Sequence, residues 1–284
     1  MVGLAFVAPM VLGVIALCLI PFLYVIWYSL HDWDIFTGAF DFVGLGNYQR
    51  LLTDAVAHKS LGVTGVFMIA LMVVNIVFAM LLALLVNQRL RGITAFRAIY
   101  FSPVVVAIVA WVIIWQFLLA VNGGVNGFLA TVGIQGPNWL NDPNTALISI
   151  VIIQVFKGVG MNMVLFLAAL QGIPPELKEA ARIDGASPWR SFWSVTLPLM
   201  SPTLLLVMIL TSIGALDVFA PIQVLTQGGP SNSTLVFSYY MYQTAFERQE
   251  FGYGSTLGVV LFVIVLLMTA LQWRLRKAWV HDEV

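Results

Sequence analysis

The chain has 284 residues, of which 61% are apolar and only 9% are Asp, Glu, Lys or Arg, against about 25% charged in an average soluble domain. Thirteen basic and thirteen acidic residues cancel, so no basic field exists to hold nucleic acid by neutralising phosphates. The single cysteine, Cys18, lies in an apolar run, which excludes an intrachain disulfide framework and a thiolate-rich metal site.

About 20 apolar residues of helix cross a bilayer core and a mid-membrane charge is costly, so long charge-free intervals mark the spans. They predict six helices near residues 2–30, 61–86, 98–121, 145–171, 199–225 and 254–273. β-Barrel strands would instead alternate in short pieces. The interval from Met1 to Leu30 has no basic n-region and lacks a small-x-small site before His31. At about twice the length of a signal-peptide apolar region, it reads as a span. A basic stretch is expected to precede Met1 in the native chain. The second span carries Asn75, the fourth Lys157 and Asn162, and the fifth Asp217. Arg89, Arg91, Arg97, Lys178, Arg182, Arg190, Arg274, Arg276 and Lys277 fall on one side, against Arg50, Lys59 and Arg248 on the other. Cytoplasmic loops keep the basic excess, so both termini are expected in the cytoplasm. Loops 31–60, 122–145 and 226–253 are then expected outside.

The loop between spans four and five is dense in structural signals. Pro175 suits a first helical turn, Glu176 and Glu179 suit a positive helix N-terminus, and Gly185 suits a left-handed stop, which together predict a helix of about two turns. Ser187-Pro188 then reads as the cap and first residue of a second helix. Its Trp189, Phe192 and Trp193 form an aromatic interfacial face. Ala180 and Ala181 leave room for a partner's groove to approach the first helix closely.

Glu179-Ala180-Ala181, three residues, Gly185, nine residues and Val195-Thr196-Leu197-Pro198 resemble the Glu-Ala-Ala loop of the permease subunits of binding-protein-dependent ABC importers. Only Val195 departs, where that family usually has Ile. Phe42-Val43-Gly44-Leu45-Gly46-Asn47-Tyr48 resembles the carbohydrate-uptake branch, which contains the maltose-type transporters. So do Asn138-Trp139-Leu140 with Asp142-Pro143, and Leu225-Thr226-Gln227-Gly228-Gly229-Pro230 with Thr234, Tyr242 and Ala245-Phe246. The resemblance implies an all-α membrane protein with six transmembrane helices in the type I ABC importer permease fold. It implies one permease domain over 1–284, in a bacterial inner membrane. Loop 172–196 would be a cytoplasmic coupling loop, with Glu179, Ala180, Ala181, Asp184 and Gly185 seated in an ATPase subunit. Further implied partners are a second homologous permease and an extracytoplasmic sugar-binding protein, with ATP and Mg bound by the ATPase dimer and no cofactor on this chain. Carried over by offset, the sugar-contacting positions fall on Gln154, Lys157, Gly158 and Met161 in helix four, and on Thr211, Gly214, Ala215 and Val218 in helix five. Each set shares one helix face. Ala215 and Val218 depart from the amide or aromatic groups of a maltose-like site.

Lys157 and Asp217 have two readings: a pair that fixes the packing of consecutive helices, or two groups lining a polar cavity. Asn75 and Asn162 read as interhelical hydrogen-bonding residues. His31, His58 and His281 fall outside the predicted core, so no intramembrane Ser-His pair exists, and Gly185-Ala186-Ser187-Pro188 has no partner base. There is no zinc spacing and no Gly-Lys dipeptide for a phosphate-cradling loop, so the chain is expected to be a transport subunit and not an enzyme. A di- or oligosaccharide is the favoured substrate, and a sugar or polyol phosphate held by Lys157 is the alternative. An ATP-independent channel or secondary transporter is the competing class. Against it stand one acid and one base in the spans and no obvious inverted repeat.

Overall fold

The computed structural model describes residues 2–33, 38–88 and 92–279. Arg89 and Arg91 of the charge tally, and His281, lie outside the described residues. The first predicted span is continuous: α1 (Val2–Val14) passes through a π turn at Ile15–Leu19 into α2 (Ile20–Ser29). A short hairpin of β1 (His31–Trp33) and β2 (Phe40–Phe42) follows, pairing His31 with Phe42, and then α3 (Gly46–Thr53). The second span, α4 (Ala55–Val86), begins before the predicted residue 61, because the helix continues past the apolar interval through His58 and Lys59. Asp54 caps it, accepting hydrogen bonds from the N–H groups of Val56 (2.9 Å) and Ala57 (3.0 Å).

The third predicted span, 98–121, is not one helix. It divides into α5 (Ile93–Val105) and α6 (Ile108–Leu118), bent by 102°. Pro103 lacks an N–H for the helical ladder, and Val106 and Ala107 are extended. After α7 (Gly124–Thr131), the fourth span is the unbroken α8 (Ala146–Gly172). The loop then forms α9 (Pro175–Ile183), α10 (Pro188–Ser191), a π turn at Phe192–Thr196 and α11 (Leu197–Leu199). The run Pro188–Leu199 meets α12 (Ser201–Leu216) at 68°. The fifth span therefore ends at Leu216 and not at 225; Phe219 has non-helical dihedrals, and Pro221 opens a separate α13 (Ala220–Leu225). The chain continues through α14 (Phe237–Tyr242), a π turn at Gln243–Glu247, and α15 (Phe251–Trp279). Among the described residues, four helices are long and apolar enough to cross a membrane, and six spans result when each bent pair counts as one.

The core is built on α4 and α8, where Phe67, Leu71, Ala79, Ile150, Met163 and Phe166 are buried together. α5 lies directly on α8: a Cβ at Gly160 would sit 2.0 Å from the Tyr100 carbonyl oxygen, so the glycine lets the two backbones touch. His31, expected outside the core, is buried at the mouth of the bundle. Its Nδ1 lies 2.8 Å from the Trp27 carbonyl and its ring stacks on Phe40.

Candidate functional site

The chemistry of α9 is set by its ends. Pro175 starts it and Glu176 lies in the first turn, against the positive end of the helix dipole. At the far end Gly185 adopts φ +76°. The Ala186 N–H reaches the Ala181 carbonyl (2.9 Å) and the Gly185 N–H reaches that of Arg182 (3.0 Å), which together form a Schellman cap. Asp184 is the C-cap residue. None of the helix's nine residues is buried, Glu179, Ala180 and Ala181 included, and Ile183 is 86% exposed. The described residues leave this amphipathic helix uncovered. Ser187 caps the following helix by accepting from the Arg190 N–H (3.3 Å), and Trp189 and Trp193 pack edge to face at 5.6 Å.

The polar groups inside the spans do not pair as opposite charges. Lys157 Nζ donates to the carbonyls of Pro103 (2.6 Å), Val104 (3.2 Å) and Val106, all at the break between α5 and α6. The Pro103 carbonyl still accepts from the Val106 N–H at 3.3 Å, and at the break an ammonium with three donors supplies hydrogen bonds that the interrupted helical ladder does not. The predicted Lys157–Asp217 pair is thus not formed. Asp217 lies at the other end of α12 from the α9 loop, exposed beside the Asp217–Phe219 break. Asn162 Nδ2 donates to Asn75 Oδ1 (2.6 Å) and to Thr211 Oγ1 (3.3 Å), which joins α8, α4 and α12.

The two carried-over stripes fare differently. On α8, Gln154, Lys157 and Gly158 are half-buried, Met161 is exposed, and Gln154 Oε1 is a buried acceptor with no hydrogen-bond partner among the described residues. On α12, Thr211 is half-buried, Gly214 is exposed and Ala215 is 0% exposed, and Val218, past the helix end at Leu216, is 4% exposed. The last two pack into the core: Ala215 by the phase of α12 on α4, and Val218 in the break, where its carbonyl accepts from Ser238 of α14.

Asp54 escaped the sequence reading. Its Oδ2 accepts from Tyr240 (2.5 Å) and Tyr253 (2.6 Å), so one carboxylate ties the start of α4 to α14 and α15. Burial pushes its carboxyl up, but the two tyrosines and the Ala57 and Val56 amides outweigh this and hold it below the usual carboxylate range. Arg50 pairs with Glu250 at 2.5 Å beside it, and Lys59 Nζ donates to the Ser231 carbonyl at 2.7 Å. The signal was present in sequence as an Asp just before an apolar helix, but the charge-free interval began only after Lys59.

Residues 63–280 match the family described as binding-protein-dependent transport system inner membrane component. The chain is 36% identical to the multiple sugar-binding transport system permease protein MsmF of Streptococcus mutans, with 88% of this chain and 87% of that protein covered. It is also 36% identical to the trehalose/maltose transport system permease protein MalF of Thermococcus litoralis, with 94% and 90% covered. The structure of a bacterial alginate ABC transporter, in complex with an alginate pentasaccharide-bound periplasmic protein, contains a chain of the same fold. The two align with a TM-score of 0.84 at 20% identity, over 99% of this chain and 95% of that one.

Proposed function

This chain belongs to the binding-protein-dependent transport system inner membrane components, and we propose that within the family it is one of two permease subunits of an ATP-driven sugar importer. The observation that carries the reading is α9, a helix started by Pro175 and capped at its C-terminal end, with no buried residue and a bulky Ile183 turned outward. An ATPase subunit is the partner that would cover it, with Glu179, Ala180, Ala181, Asp184 and Gly185 at the contact. ATP and Mg would be bound by that partner, α9 and both termini would face the cytoplasm, and an extracytoplasmic binding protein would deliver sugar to the opposite end. Support for the substrate class comes from relatives that handle multiple sugars, trehalose and maltose.

ATP binding would draw two such helices together and favour one of two orientations of the cavity between the permeases. Reversing a 1:99 equilibrium takes about 5.5 kcal/mol of differential binding, which α9 must transmit. Gln154, Gly158, Met161, Thr211, Gly214 and Asp217 are the residues of this chain assigned to the pathway. Lys157, engaged by three carbonyls, is assigned to holding the α5–α6 break instead of to an anionic substrate group.

The test is co-purification of the tagged chain from native membranes in mild detergent. A second permease and an ATPase should accompany it, and Glu179→Lys should abolish uptake while leaving membrane insertion intact. If the chain emerges alone, under conditions that keep known importers assembled, the ATP-coupled reading fails and a channel or secondary transporter takes its place.

A further inference from the structure

Three helices, α4, α5 and α8, wall a groove that opens to the side of the bundle. Its volume is about 360 Å³, and Val74, Phe78, Leu82, Tyr100, Ile152 and Phe156 are among its lining. Apart from the Tyr100 hydroxyl, every lining side chain is hydrocarbon. Phe78, Ile152 and Phe156 are exposed, so nothing among the described residues covers it. Val74 lies near the middle of the second span and Val86 ends it. That stretch of twelve residues is about 18 Å long at 1.5 Å per residue, roughly one leaflet of a hydrocarbon core about 30 Å thick. The wall supplied by α5 stops at Val105, where the chain turns through 102° into α6. Arg97 stands at the opposite end of that wall, one turn before Tyr100. Its Nη2 donates to the Val86 carbonyl at 3.2 Å, its Nε has no hydrogen-bond partner, and no carboxylate pairs with it among the described residues.

Each class of occupant meets a different balance here. A polar solute would bury hydroxyls against hydrocarbon with no group to bond them, which is unfavourable. A transmembrane helix needs about 20 residues to cross both leaflets, whereas the third wall ends about halfway, and such a helix would leave the guanidinium without a counter-charge. A phospholipid with a negative headgroup satisfies both features. One acyl chain fills a groove one leaflet tall, and the phosphate accepts charge-assisted hydrogen bonds from the guanidinium donors that the Val86 carbonyl leaves over. Successive spans alternate in direction, so α4 and α8 end on the same side, the side of α9.

We propose that the groove between α4, α5 and α8 is a binding site for one anionic phospholipid of the leaflet at the α9 end, with an acyl chain against Phe78 and Phe156 and the phosphate at Arg97. A lipid seated there braces α5 on α4 and α8, beside the break that Lys157 holds.

The chain, with whatever subunits accompany it from native membranes, would be placed in lipid nanodiscs and irradiated in the presence of phosphatidylglycerol or phosphatidylcholine carrying a diazirine in one acyl chain. Peptide mass spectrometry then locates the adducts in wild type, Arg97→Gln, Arg97→Lys and Ile152→Trp. In wild type, phosphatidylglycerol adducts should concentrate on the groove over Leu266 and Leu267, exposed leucines of α15 that serve as the bulk-lipid control. Arg97→Gln should lower the phosphatidylglycerol preference of the groove about fivefold, the scale of one basic side chain acting on anionic lipid, and Arg97→Lys should keep most of it. Ile152→Trp adds bulk at an exposed lining position and should reduce groove adducts while leaving those on α15 unchanged. Equal labelling of groove and α15 by both lipids would overturn the proposal, because the groove would then hold bulk lipid only. So would a preference unchanged in Arg97→Gln, or a groove that neither lipid labels, which would make it a subunit seat. Should Arg97→Gln fail to insert, the two lipids compared on the wild-type groove decide alone, and equal labelling by both refutes the site.

Discussion

Gly185 offers a substitution series whose order follows from one dihedral angle. At φ +76° the residue is left-handed, and a Cβ built there meets no atom within 4 Å. The cost of a side chain in this chain is therefore backbone strain alone. For alanine, left-handed geometry costs about 1–2 kcal/mol relative to glycine, which multiplies the population of uncapped α9 by about 5–30. Asparagine visits this region several-fold more readily than other non-glycine residues, and a β-branched residue is an outlier there. Uptake at matched membrane expression should thus fall in the order Gly, Asn, Ala, Val, with Asn close to wild type and Val lowest. The assay is uptake of labelled sugar by cells carrying the reconstituted importer, with the amount of inserted chain measured in parallel. Loss of uptake in Gly185→Asn equal to that in Gly185→Val would refute the reasoning. The glycine would then be required because an ATPase surface occupies the space a Cβ would take, and not because of its φ.

Lys157→Leu removes the charged donor shared by the part-buried Pro103, Val104 and Val106 carbonyls; at about 1.5–3 kcal/mol for a hydrogen bond to a charged group, the chain should lose thermal stability in detergent, and Lys157→Arg should retain most of it. Gly160→Ala forces α5 off α8, because the new Cβ would lie 2.0 Å from the Tyr100 oxygen; overpacking of this kind costs about 1–3 kcal/mol and should appear as a lower melting temperature. Asp54→Asn should destabilise the end of the bundle where α4, α14 and α15 meet. Because its folded carboxyl is held below the ordinary value, the contribution is fully present above about pH 4 and is lost as pH falls through the folded value. Wild type should therefore show an acid-side drop in melting temperature that the Asn variant lacks, and parallel pH curves would argue against the carboxylate's role.

The six apolar runs were legible because the bilayer imposes their length on the sequence, and α9 was legible because each of its signals is local: Pro175, Glu176 and Gly185 act within one or two turns. The breaks were not. Proline occurs in many membrane helices without dividing them, and the ammonium that satisfies the carbonyls at the 102° bend lies 54 positions from Pro103 along the chain. The same distance hid the partner of Lys157, since a sequence search for a counter-charge finds Asp217, whereas the group that needed neutralising was a set of carbonyls freed by the bend. Spacing put Ala215 and Val218 on one stripe with Thr211, but the helix stops at Leu216, so Val218 lies in the break, and packing against α4 decides which way Ala215 turns.

The position of α12 bears on how the two ends of the molecule communicate. One short chain joins α9 to Asp217: the run Pro188–Leu199, a 68° bend, and α12. α12 is about 24 Å long at 1.5 Å per residue, so a rotation begun at α9 arrives at the aromatic cavity lined by Asp217, Phe219, Tyr242 and Phe246 with little loss if the helix moves as a rod. Besides its packing on α4, two side-chain contacts tie it to α8 and α15. Thr211 accepts from Asn162 on α8, and Ser212 accepts from Gln272 on α15 (2.9 Å). While both hold, α12 carries α8 and α15 with it, and the cavity, walled partly by α15, shifts as a unit. If either breaks during closure, the cavity changes shape as α12 turns against its neighbours. In the second case alone do the two orientations of α9 differ in their affinity for a ligand in the cavity. If α9 couples to an ATPase as proposed above, linkage then requires that a ligand held there bias α9 by the same free energy with which α9 biases its binding.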